Sequence, residues 1–324
     1  VLRLPPFRFH AATSPQDAVR RYADSDHAVY VAGGTDLLPN MKHHLLTPDD
    51  VIGLGNALGR DVRFTDSHAR IDGGVTLHAL STHPRVRAEL PALAQAAGLV
   101  AGPQIRRMGT LGGNVLLDTR CLFYNQSISW RQALGSCLKA EGTWCHVING
   151  PKTCVAAQSA DTVPVLLTLD AAIELVGPQG TRSVGLRDLY RFNGMDHLKL
   201  ERGEVLTAVV VPLPGAGHRG SYHKLRTRGS IDFPQLGVAV ASTWDGPALT
   251  GLEIVVGAAN PQPRPIRKLD TFLGRPLSAP DIEGIAALVR KQTRPNTAVH
   301  GSVDWRRSMA GVYTRRALTA MAAG

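Results

Sequence analysis

The chain has 324 residues and a mass of 34.7 kDa, more than one ordinary domain accommodates, so two or three are expected. Hydrophobic residues make up 44% and charged residues 19%. That is enough apolar material for real cores, which excludes a mainly disordered chain, and the apolar runs, such as Val205–Val211, are too short for a membrane-spanning helix.

An excess of 36 Lys and Arg over 26 Asp and Glu gives a net charge of +10 and a pI near 9.8. The basic residues are scattered in runs no longer than two, and aromatic residues are only 5%. A base-stacking surface for nucleic acid is therefore not expected, whereas an anionic cofactor or an acidic protein suits the charge. The first ten residues carry no apolar core, so no cleaved leader is expected there and the protein reads as cytoplasmic.

Ser14-Pro15 is a cap and first-turn pair, which predicts a helix over Asp17–Tyr22. Val29–Ala32 reads as a buried strand running into Gly33-Gly34-Thr35-Asp36, which opens a helical stretch through Met41. Val51–Leu54 is a second strand, Val62–Phe64 and Ala69–Asp72 a strand pair, and Leu77–Leu80 and Ala92–Val100 helices. Gln104–Asn114 reads as a glycine-rich turn. Thr162–Leu169 is helical, and Ala172–Val176 and Arg182–Val184 flank a hairpin turn at Gly177–Gly180. Val205–Val211 is a β-branched strand, followed by a boundary within Pro212–Gly220. Ser221–Arg226, Leu236–Thr243 and Leu249–Ala258 form three antiparallel strands. Helices are predicted at Pro265–Leu273, Ala279–Lys291 and Asp304–Met321. The fold class is α+β.

Four cysteines, Cys121, Cys137, Cys145 and Cys154, fall within one 34-residue window, and the rest of the chain has none. Two disulfides, a zinc site or an iron–sulfur ligand set are all open on count alone. A chain with a large core has little need of disulfides, which favours a metal. No catalytic triad is legible, and His43-His44 are adjacent, so they point to different faces. No catalytic residue is assigned.

Two glycine loops carry the remaining signal. Ala32-Gly33-Gly34-Thr35-Asp36 lies between strand and helix, where backbone N–H groups can face a phosphate. It is not the nicotinamide-fold fingerprint. Thr110-Leu111-Gly112-Gly113-Asn114 is a second such loop, and two of them in one unit suit a ligand with a pyrophosphate. A tight structural turn is the plain alternative for either.

Val31–Leu37 and Ile105–Asn114 resemble the signature loops of the FAD-binding medium subunits of the molybdenum hydroxylases, the xanthine dehydrogenase and carbon monoxide dehydrogenase family. Tyr222–Phe233 with Gly237–Ala241 is similar to that family's C-terminal opening, so the resemblance spans nearly the whole chain. It implies a two-part FAD-binding unit of the vanillyl-alcohol-oxidase/PCMH type at 1–57 and 58–214, then an α+β unit at 215–324 with a three-stranded sheet and a helix bundle. It also implies that Val31, Ala32, Gly33, Gly34, Thr35, Asp36 and Leu37 wrap the FAD pyrophosphate. Thr110, Gly112, Gly113 and Asn114 would hold its other side, Val100 would pack on the nucleotide, Asp161 would bond the flavin part, Leu206 would pack near the ring, and Lys224 would approach the ring and favour anionic flavin.

Where the common pattern has a short loop, 46 residues (115–160) separate Asn114 from Asp161 and carry all four cysteines. The intervals between the cysteines are fifteen, seven and eight residues, without the close pairs of ferredoxins or zinc ribbons. Four thiolates suit a 4Fe–4S cluster, and a site beside FAD gives a cluster a use that zinc lacks. Cys121, Cys137, Cys145 and Cys154 are then its ligands, with a zinc site that includes His146 as an alternative. Arg120–Gln126, Ser129-Trp130 and Trp144–His146 most resemble the β subunits of the 4-hydroxybenzoyl-CoA reductase branch, and less so a cysteine loop of an aldehyde oxidoreductase. The branch implies an electron-transfer subunit of a heterohexamer, (αβγ)2, with a large molybdenum-cofactor subunit and a small 2Fe–2S subunit, and ferredoxin as the electron donor. A self-sufficient flavin oxidase and a zinc-stabilised flavin-binding module are the other readings.

Overall fold

The computed structural model describes residues 2–150, 152–297 and 301–323. The outer limits of the expected units, at 1 and 324, and position 151 of the insertion lie outside the described residues. The chain forms three sheets in sequence order.

In the first, Arg8–Ala11 and Ala28–Val31 flank Asp50–Gly53, both parallel to it. The central strand is buried throughout. Helix Pro15–Ala23 runs between the first two strands, and its Ser14 cap accepts from the Asp17 N–H at 3.0 Å. Strand Arg8–Ala11 is absent from the sequence reading because its side chains face outward without apolar alternation; Phe9 is 60% exposed. Polar groups anchor it instead. Asp50 takes the Arg8 guanidinium at 2.7 and 2.8 Å and the His10 ring at 2.7 Å, and these groups with Ser25 hold its carboxyl well below the usual range.

The second sheet is antiparallel, in the order Val62–Phe64, His68–Asp72, Val205–Pro212, Ala172–Gly177, Gly180–Gly185. The Val205–Pro212 strand, predicted from its β-branched run, takes the centre, where both neighbours satisfy its backbone. Helices Leu77–Thr82, Pro84–Glu89, Pro91–Gly98 and Thr162–Thr168 supply the rest of this unit's core, with Leu80, Leu93, Leu111, Leu166 and Ile173 fully buried. The stretch read as one glycine-rich turn contains two short helices, Pro103–Met108 and Leu111–Val115. Pro103 starts the first, Gly109 turns extended, and Thr110 caps the second.

The third sheet is a meander of His218–Leu225, Leu236–Asp245 and Ala248–Gly257. Two-residue strands, Arg264–Pro265 and Arg275–Pro276, pair with Ala248–Gly257 and raise the expected three strands to five. The helix expected over Pro265–Leu273 does not form. Ile266 donates its N–H to the Ile254 carbonyl at 2.8 Å, Lys268 sits at φ 66°, and only the 3-10 turn Asp270–Phe272 remains helical. Two helices, Ala279–Gln292 and Val303–Ala323, cover this sheet. Ser278 and Asp281 form a reciprocal capping box at the start of the first of these.

Helix Thr162–Thr168 joins the second and third sheets. It packs on helix Pro91–Gly98 and on strands Leu236–Asp245 and Ala248–Gly257. Gly257 lies directly against Pro164, since a Cβ there would stand 2.6 Å from the proline Cγ. Among the described residues no helix is long and apolar enough to cross a membrane.

Candidate cofactor cleft and cysteine loop

A cleft of ≈ 860 Å³ is lined by strands of the first two sheets and by the loop Ile231–Phe233 of the third unit. Its size falls in the upper part of the ~300–1,000 Å³ range of small-molecule sites. Val31, Ala32, Gly33, Gly34, Thr35, Asp36, Leu37, Val100, Thr110, Gly112, Gly113, Asn114, Asp161 and Leu206 all stand on its wall. Of the residues singled out for FAD, only Lys224 does not.

Gly33 is the tightest point of the first loop. A Cβ there would lie 2.0 Å from the Met108 carbonyl oxygen, so two backbones meet with no room for a side chain. Gly34 follows at φ 70°. Among the described residues, the N–H groups of Gly33, Gly34, Thr35 and Asp36 have no intramolecular acceptor. They are the donors a pyrophosphate needs. Helix Leu37–Lys42 is under two turns long, so these N–H groups and not a helix field carry the loop's anion affinity.

The second loop differs. Leu111 N–H goes to Val75 O at 2.8 Å, Gly112 N–H to Gly73 O at 3.0 Å, Gly113 N–H to Thr110 Oγ1 at 3.1 Å, and Asn114 N–H to Thr110 O at 2.9 Å. The expected backbone cradle is therefore spent on the fold. Asn114 Oδ1 accepts from Thr162 Oγ1 at 2.6 Å, which leaves the amide nitrogen as its donor end. The loop can serve a ligand through side chains and close packing; a Cβ at Gly112 would stand 2.9 Å from Gly73 O.

Asp161 is held from behind. Lys224 Nζ lies 2.9 Å from Asp161 Oδ2 and 3.0 Å from Leu99 O, and the Tyr222 hydroxyl donates to Asp161 Oδ1 at 2.8 Å. The Asp161 and Lys224 side chains are 3% and 1% exposed. Burial pushes the Asp161 carboxyl up and the Lys224 ammonium down, and their mutual attraction opposes both shifts. Lys224 thus reaches the cleft through Asp161. Any effect it has on a flavin is routed through that pair.

Other wall residues escaped the sequence. Tyr30 lines the cleft and donates to Gly203 O at 2.8 Å. Ile231 and Phe233 arrive from the loop after strand His218–Leu225, with Ile231 at φ 60°, a region costly for a β-branched residue. Arg120, beside the first cysteine, ion-pairs with Asp36 and lies over the Phe233 ring at 3.9 Å.

The extended segment from Asp118 to Cys121 separates the cleft from the cysteines. Asp118 and Arg120 line the cleft, while Cys121 joins Cys154, Cys137, Tyr124 and Ala156 in a separate apolar cluster. All four cysteines are free, so the disulfide alternative is absent. They act on one another electrostatically: Cys121 feels Cys154 and Cys137, and Cys154 feels Cys137 and Cys145. Burial pushes the Cys121 thiol up to about 11 and raises Cys154, while Cys121 accepts N–H groups of Phe123 and Tyr124, and Cys154 that of Ala156 at 3.4 Å. Lys139 is buried beside them. Its Nζ binds Asp118 Oδ1 at 2.7 Å and Thr119 Oγ1 at 2.6 Å, and its charge favours the Cys154 thiolate. Among the described residues, no three His, Cys, Asp or Glu side chains stand close enough to hold a single metal ion. His146 bonds Gly135 O at 2.9 Å.

A cleft with one loop of free backbone donors and a buried acid on its wall suits a dinucleotide. Residues 5–214 match the FAD binding domain in molybdopterin dehydrogenase, and residues 220–321 the CO dehydrogenase flavoprotein C-terminal domain. The chain belongs to the FAD-binding medium subunits of the molybdenum hydroxylase family of oxidoreductases. It is 31% identical to the carbon monoxide dehydrogenase medium chain of Afipia carboxidovorans, over 96% of this chain and 95% of that one. It is 34% identical to the aldehyde oxidoreductase FAD-binding subunit PaoB of Escherichia coli K12, over 74% of this chain and 78% of that one. The solved structure of reconstituted CO dehydrogenase from Oligotropha carboxidovorans contains a chain that is 28% identical, with a TM-score of 0.81, matched over 99% of both chains.

Proposed function

We propose that this chain is the FAD and 4Fe–4S electron-transfer subunit of a cytoplasmic molybdenum enzyme of the 4-hydroxybenzoyl-CoA reductase type. Its partners are a large molybdenum-cofactor subunit and a small 2Fe–2S subunit in an (αβγ)2 heterohexamer, with reduced ferredoxin as the donor. The observation that carries the reading is the peptide bond between Arg120 on the cleft wall and Cys121 in the cysteine pocket. A cubane core needs four soft anionic ligands, and the insertion supplies four free thiols.

FAD, when bound, exchanges electrons singly or in pairs, and a cluster passes them singly. The chain's own residues bind and orient. The N–H groups of Gly33 to Asp36 hold the diphosphate. Val100 and Leu206 pack on the apolar parts, and Asp161, fixed by Lys224 and Tyr222, bonds the flavin portion. The four cysteines hold the cluster, and Lys139 offsets part of its negative charge. We take 1–57, 58–214 and 215–324 as the units, with 115–160 as an insertion on a two-part FAD-binding fold of the vanillyl-alcohol-oxidase type.

The test is an iron, sulfide and flavin assay with electron paramagnetic resonance on the reduced chain. The reading expects one FAD and one four-iron cluster per chain. Zinc, or flavin without iron, overturns the cluster half. The 34% identity with the aldehyde oxidoreductase subunit favours a second reading, the same role in an aldehyde-oxidising enzyme. In the assembled enzyme, 4-hydroxybenzoyl-CoA reoxidises reduced flavin under the first reading, and an aldehyde reduces oxidised flavin under the second.

A further inference from the structure

Arg120 belongs to none of the loops that the sequence assigned to the cofactor, yet it stands on the cleft wall. Its side chain lines the wall and is mostly buried. Two parts of the guanidinium are engaged, one by the Asp36 carboxylate and one by the Phe233 ring at 3.9 Å. Its Nε–H is buried and has no acceptor among the described residues. The guanidinium is a cation at neutral pH.

The Asp36 carboxylate also takes Asn40 Nδ2 at 3.1 Å. The amide is neutral, so arginine and aspartate together carry no net charge. The free N–H groups of Gly33 to Asp36 stand on the same wall, and Asp36 by itself would repel an anion drawn to them. Arginine removes that repulsion and matches phosphate oxygens in shape.

We propose that Arg120 is a phosphate-binding residue of the FAD site, its guanidinium offered to the diphosphate bridge and its charge cancelling that of Asp36. This deepens the FAD half of the proposed function and is independent of the cluster. It gives the insertion a second task, because the residue that holds the diphosphate is bonded directly to Cys121.

The test uses the full-length chain stripped of flavin. FAD is titrated by quenching of its fluorescence, and ADP is titrated as a competitor because it carries the diphosphate without the flavin. Arg120→Met is expected to weaken FAD and ADP together by about ten- to a hundredfold, the worth of one charged hydrogen bond. Arg120→Lys, which keeps a point charge but loses the fork, is expected to recover part of the loss for both. Phe233→Leu keeps the charge but removes the ring that aligns it, and a several-fold loss for both ligands is expected.

Unchanged FAD affinity in Arg120→Met overturns the proposal. So does weakened FAD with unchanged ADP, which would turn the guanidinium to the flavin half. If Arg120→Met does not fold, as judged by circular dichroism, the lysine and leucine variants decide by the same criteria. A wild-type chain that fails to take up FAD would instead overturn the FAD-binding reading, and iron content measured alongside reports on the cluster separately.

Discussion

The cleft and the cysteine loop share wall residues, among them Asp118, Arg120 and Ser159, but are built on opposite principles. The cleft is finished by the fold. Its floor is a buried acid with two fixed partners, and its second glycine loop has committed four successive N–H groups to the protein itself. Among the described residues of 116–160 there is one short helix, Ile128–Leu134, with no buried residue, and the 3-10 turn Leu138–Ala140. Leu122, Ile128, Trp130, Leu134, Trp144 and Ile148 are exposed. The segment is held by anchors: Arg120 on Asp36, Arg131 on the His44 carbonyl at 2.8 Å, and Thr119 Oγ1 on the Gly194 carbonyl at 2.6 Å. A site made of packed backbone exists before its ligand arrives, whereas a loop with so small a core takes much of its order from whatever its thiols bind.

If that contrast is right, damage on one side should spare the other. The largest effect is expected for Cys121→Ser: loss of essentially all iron and rapid proteolysis within 122–150, with FAD retained. Loss of FAD with the iron would break the contrast. Gly33→Ala should do the reverse. Its Cβ meets the Met108 backbone, so FAD retention is expected to fall by at least tenfold while iron per chain stays constant.

Lys224→Met leaves Asp161 buried without its counter-charge, and the chain should lose about 3–5 kcal/mol in denaturant unfolding. Lys224→Met with Asp161→Asn should recover most of that. Flavin potentials unchanged in both variants would remove the pair from any redox role. The smallest effect concerns the metal-free chain. Cys137 and Cys145 should react with iodoacetamide a few-fold faster than Cys121 and Cys154, which are 8% and 7% exposed. Equal rates would sharpen the contrast, because the thiol pocket would then need its cluster in order to form at all.

Much of the framework was legible because periodicity and caps are local. Ser14 caps its helix, Gly177–Gly180 turns its hairpin, and the β-branched Val205–Val211 run takes the centre of its sheet. The misses share a physical cause. Strand Arg8–Ala11 is fixed by charge pairs on Asp50, some forty residues away, and the predicted helix at 265–273 gives way to sheet-edge pairing with Ile254. The site was legible at residue level on its walls but not in its hydrogen bonding. Nothing in Leu111-Gly112-Gly113-Asn114 tells that its donors are already spent, and nothing in Tyr222-His223-Lys224 tells that lysine and tyrosine converge on Asp161.

Because the cleft draws on strand Ala28–Val31, on Leu206 and on the Ile231–Phe233 loop, one bound nucleotide stitches together parts of the chain that otherwise meet along separate seams. Ligand linkage then makes the endurance of the whole polypeptide a matter of cofactor supply. At a free concentration a hundredfold above Kd, the holo form gains about 2.7 kcal/mol against unfolding. A cell short of riboflavin would accumulate less of this subunit through faster turnover of the empty chain, before any question of electron flow arises.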